Sequence, residues 1–64
     1  MCEANVYMRK GEEDELILEN VDHIVPQDDG ILLEDIFGRR QLLKAKIKEL
    51  MLVDHKVILE EVQS

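Results

Sequence analysis

Arg39-Arg40-Gln41-Leu42-Leu43-Lys44-Ala45-Lys46-Ile47-Lys48-Glu49-Leu50-Met51-Leu52 is the stretch on which the fold class turns. Most of these residues are strong helix formers, and Leu42, Leu43, Ile47, Leu50 and Met51 recur at helical spacing. Two features oppose a helix. Gly38 offers no side-chain oxygen to accept from the first turn, so it is not a good N-cap signal of the Ser, Thr, Asp or Asn kind. A helix of this length would also stand alone among segments that read as short strands. The chain is therefore expected to be all-β, with an α+β fold carrying a helix around 39–52 as the alternative.

The flanking segments carry the strand reading. From Cys2 to Lys10, Ala4, Val6 and Met8 fall on one face and Glu3, Asn5, Tyr7 and Arg9 on the other, a period of two. Gly11 with Glu12, Glu13 and Asp14 marks a turn, and Leu16-Ile17-Leu18 follows as an apolar run. Val21 to Val25 is rich in β-branched residues and is expected to stop at Pro26. Asp28-Asp29-Gly30 signals a hairpin, with positive φ expected at Gly30. Ile31-Leu32-Leu33 resumes the strand, and Phe37-Gly38-Arg39-Arg40 reads as another turn. Asp54-His55-Lys56 separates Leu50-Met51-Leu52-Val53 from Val57-Ile58-Leu59, the pattern of a final hairpin.

Several of these runs are apolar on consecutive residues. A strand with one wet face alternates, whereas one covered on both faces does not. The 64 residues, read as one domain spanning 1–64, are too few to cover two faces from within. A second copy is expected to cover one of them, most simply as a two-fold homodimer.

Charge and composition narrow the function. Fifteen acidic residues against eight basic ones give a net charge of −7, which repels phosphate backbones and anionic lipid and attracts cations. Tyr7 and Phe37 are the sole aromatic residues, so base stacking is disfavoured. No apolar run approaches the ~20 residues that span a membrane, and no leader is evident, so a cytoplasmic protein is expected. The chain has one serine, Ser64, no threonine and no phosphate-binding glycine loop. An enzyme is not expected.

The metal-ligating side chains are few. Cys2 is the single cysteine, so neither an intramolecular disulfide nor a one-chain structural zinc site can be built. Its thiolate lies within chelating reach of the amino terminus. With Met1 removed, the Cys2 amine and thiolate close a five-membered ring on a metal. With Met1 retained, its amine, the Cys2 amide nitrogen and the thiolate form two fused rings. Either arrangement suits an ion that favours a square plane, nickel or copper above all, and either is half a site. His55 is a candidate ligand at a turn tip. His23, inside an expected strand between Asp22 and Ile24, is the weaker one. Glu12-Glu13-Asp14-Glu15 and Gln27-Asp28-Asp29 read as solvated turns. Arg39, Arg40, Lys44, Lys46 and Lys48 read as balancing the surrounding carboxylates.

The opening Met1-Cys2-Glu3-Ala4-Asn5-Val6-Tyr7 resembles the start of the CooT family, small nickel-binding accessory proteins linked to maturation of carbon monoxide dehydrogenase. The likeness continues through Leu16-Ile17-Leu18-Glu19-Asn20-Val21, Asp29-Gly30 and Asp35-Ile36-Phe37-Gly38 to Val53-Asp54-His55-Lys56-Val57-Ile58-Leu59-Glu60. It implies a homodimeric SH3-like β-barrel of about six to seven short strands, with Cys2 as the nickel ligand. Two Cys2 thiolates meeting at a dimer axis, each with its own nitrogen, would complete a square-planar Ni(II) site. Carbon monoxide dehydrogenase or its maturation factors are the implied partners. The alternatives are a small RNA-binding barrel, which the charge opposes, and a metal-free module that docks a larger partner.

Overall fold

The computed structural model describes residues 3–62. Six strands follow one another: β1 (Ala4–Lys10), β2 (Glu13–Gln27), β3 (Gly30–Asp35), β4 (Arg40–Leu43), β5 (Ala45–Met51) and β6 (Lys56–Glu61). They form one sheet in the order β4-β3-β2-β1-β6-β5, curled into a half-barrel, with no helix among the described residues. All neighbours are antiparallel except β1 and β6, which run parallel. The expectation of an all-β chain holds.

The helix considered for 39–52 does not form. This stretch makes β4 and β5, broken by a bend at Lys44. Helix propensity gives way because the backbone groups are paired across strands, by β3 on one side and β6 on the other. The signal for a strand was present in Lys44-Ala45-Lys46-Ile47-Lys48, which alternates with period two. Ala45 faces the core, while Lys46 and Lys48 both reach Glu60 on the opposite face, at 3.4 and 3.0 Å.

Strand β2 is a single element, where a shorter strand ending at Pro26 was expected. Pro26 lies inside it, opposite Ile31. Fifteen residues of straight strand would extend roughly 50 Å at ~3.3 Å each. The longest dimension of the molecule is 34 Å, so β2 must bend. It does so where Asn20 takes a left-handed φ of 57° and a bulge interrupts the register between Val21 and His23. Asn20 is suited to that conformation.

Val6, Met8, Val21, Ile31, Leu33, Ala45, Val57 and Leu59 form the core inside the curl. Ala4 packs on it from the same face of β1 as Val6 and Met8, as the alternation predicts. The premise that one chain cannot cover both faces fails for β6. There Val57, Ile58 and Leu59 are all buried, because Tyr7 stands opposite Ile58 and shares a small outer recess with it, Met51 and Lys56. In the run at 50–53 Leu52 and Val53 fall in the turn after β5 and are 74% and 93% exposed.

Gly30 also departs from expectation. Its φ is not positive. A Cβ there would lie 2.2 Å from the carbonyl oxygen of Leu43, so glycine is needed for close approach of the β4–β5 bend.

Candidate metal centre

Met1 and Cys2 lie outside the described residues, so the site is built from what holds the segment after them. Ala4 pairs with Val21 of β2, and Asn5 stands opposite Lys56 of β6. The Asn5 N–H donates to the His55 carbonyl at 2.9 Å, and the Asn5 side-chain oxygen accepts from the Asn20 N–H at 3.3 Å. The residues three positions beyond Cys2 are thus fixed from both flanking strands.

His55 ends the Leu52–His55 turn, where its φ of 55° and an N–H donated to Leu52 O shape the reversal into β6. Its side chain is exposed. Sequence separation hides the fact that its backbone lies against β1, since the parallel β1–β6 pairing alone brings position 55 beside position 5.

The second histidine, His23, lies inside β2, within a strand as its sequence reading expects. Strand alternation puts Asp22 and His23 on opposite faces. The bulge between Val21 and His23 leaves both exposed, opposite Glu34. His23 Nδ1 is 3.0 Å from Asp22 Oδ1 and 3.3 Å from Glu34 Oε1. The other Glu34 oxygen accepts from Arg40 Nε at 3.1 Å.

Several of the remaining charges are engaged in surface pairs. Arg9 donates to Asp14 across the β1–β2 hairpin at 2.8 Å, and Lys10 reaches Glu15 at 3.0 Å. The hydrogen bond from Arg9 holds the Asp14 carboxyl below its ordinary range, and Lys48 and Lys46 do the same for Glu60. Asp35 is the one buried charged residue among those described. It accepts from the backbone N–H groups of Phe37 and Arg39, at 2.9 and 2.8 Å, and from the Arg39 guanidinium. Burial pushes its pKa up, but these donors together outweigh burial and hold it below the ordinary value. The Phe37-Gly38-Arg39 turn is fixed by this one carboxylate. Phe37 at its tip is 70% exposed, with the Arg39 guanidinium 5.7 Å from its ring centre.

A curled six-stranded sheet of this size, with its opening strand at the centre, is a small barrel-like β protein. Among the described residues no helix is long and apolar enough to cross a membrane. The chain belongs to the CooT family, described as CO dehydrogenase accessory protein CooT, whose model matches residues 1–60. It is similar to a crystal structure of a protein designated CooT from Carboxydothermus hydrogenoformans, at 50% identity and a TM-score of 0.91. That match covers 97% of this chain and all of the other. No curated protein sequence matches the chain at a significant level.

Proposed function

We propose that this protein binds Ni(II) through Cys2 at the interface of a homodimer and holds or delivers it for maturation of carbon monoxide dehydrogenase in the cytoplasm. It catalyses nothing itself on this reading. The accessory role belongs to the family, and the family match includes Cys2.

One observation carries the dimeric arrangement. Leu52 and Val53, the most exposed of the large apolar residues described, share a turn with His55, and His55 is hydrogen-bonded to Asn5. An apolar patch therefore borders the segment that leads to Cys2. Among the described residues ten large apolar side chains are exposed, against nine apolar residues that are buried, a surplus that favours a covering partner. A second copy seated on this turn would bring two amino termini together.

Two thiolates and two nitrogens would then serve one square-planar ion. His55, at the same margin, is a further ligand on this reading, and the Met1 amine another where Met1 is retained. The thiolate is the binding form, so the metal displaces a proton and affinity falls as pH drops. Nickel titration followed by absorption tests the reading. A sulfur-to-nickel charge-transfer band should grow with added metal and vanish in Cys2→Ser. Undiminished nickel affinity in that variant contradicts it.

A further inference from the structure

Asp22, His23 and Glu34 present three ligand atoms of two chemical kinds at one spot, and we propose that they form a second divalent-cation site, distinct from Cys2. One ligand oxygen or nitrogen from each lies within 4.8 Å of the other two. The spacing is that of ligands around a common ion. With metal–ligand bonds of about 2.0–2.2 Å, neighbouring ligands lie about 3.0 Å apart at right angles and about 3.4 Å apart in a tetrahedron. The separations from His23 Nδ1 are 3.0 Å to Asp22 and 3.3 Å to Glu34.

The architecture supplies this arrangement without a loop. Glu34 faces His23 across the β2–β3 ladder, and the extra residue of the bulge adds Asp22 beside it. Arg40 on β4 holds the second oxygen of Glu34, which leaves Oε1 directed toward His23. All three side chains are accessible, so an ion can enter directly and keep water in its remaining positions.

The donor set defines the cation. One imidazole nitrogen with two carboxylate oxygens suits a borderline divalent ion such as zinc, cobalt or nickel. Calcium and magnesium prefer oxygen alone. Two carboxylates also match the charge of a divalent ion. The same contacts would be made by an Nδ1–H group shared between two carboxylates, and that is the competing account.

Zinc titration of the full chain separates the two, read by calorimetry and by the imidazole nitrogen resonances. Cys2→Ser removes the thiolate that would otherwise dominate. In that protein one zinc ion per chain should bind, moving the His23 Nδ1 resonance and leaving that of His55 in place. His23→Ala added to Cys2→Ser should weaken zinc at least tenfold, and Asp22→Asn should weaken it in the same direction. The proposal is overturned if Cys2→Ser takes up no zinc below millimolar concentration, or if the His55 resonance moves instead. It is equally overturned if His23→Ala leaves the affinity unchanged. None of these results bears on nickel at Cys2, which the charge-transfer band reports separately.

Discussion

Asp35 shows how much one side chain can fix. Its carboxylate is inaccessible to solvent and receives two backbone donors and a guanidinium, so it closes the turn that links β3 to β4. Asp35→Asn keeps the volume but replaces an accepting oxygen with a donor that faces other donors. The variant should unfold at lower temperature than the parent at neutral pH. The sign of the pH effect follows from the depressed carboxyl. Its stabilisation is complete above the ordinary carboxylate range, about pH 4, and is lost as pH falls through the lower folded value. Urea unfolding near pH 7 and near pH 3 should therefore differ less in Asp35→Asn than in the parent. An unchanged difference would mean that Asp35 is not the acid-sensitive contact. In the sequence Asp35 was part of a family likeness only, because nothing local announces that a turn aspartate will be buried.

At the level of elements, the period-two pattern of β1, the turn at Gly11 and the two hairpins signalled at 28–30 and 54–56 were legible in the residues, although the second turn falls at 52–55 and takes Leu52 and Val53 out of the strand. What was hidden is long-range. Helix propensity at 39–52 is a local quantity, and it loses to pairing with β3 and β6, which no local window contains. The bulge at Val21–His23 escaped for the same reason, and with it the grouping of Asp22, His23 and Glu34. Gly30 was recognised as a required glycine for the wrong cause. Its role is the approach of the β4–β5 bend, so Gly30→Ala should cost about 1–3 kcal/mol through overpacking against backbone. Urea denaturation measures this. A variant as stable as the parent would show that the bend can move aside at no cost.

For the whole molecule, the parallel pairing of β1 with β6 matters most, because it sets the final turn beside the amino-terminal strand. No sequence pattern marks which strands pair across the full length of a chain. The resemblance to the CooT family, which the match over residues 1–60 bears out, implied a barrel-like fold, and the curled six-stranded sheet has that character. The apolar turn at Leu52–Val53 is where the account places the second copy. Val53→Asp changes a side chain that is 93% exposed, so the fold should survive while self-association is lost. Sedimentation should report a monomer for this variant and a dimer for the parent. A dimer in both would move the interface elsewhere.

The central claim is that one nickel ion is shared by the amino termini of two chains. Native mass spectrometry of the intact protein with added nickel tests it most directly. The account predicts a species of two chains and one nickel, absent in Cys2→Ser. Nickel held through Cys2 by single chains, or a dimer whose nickel uptake is indifferent to Cys2, would contradict it.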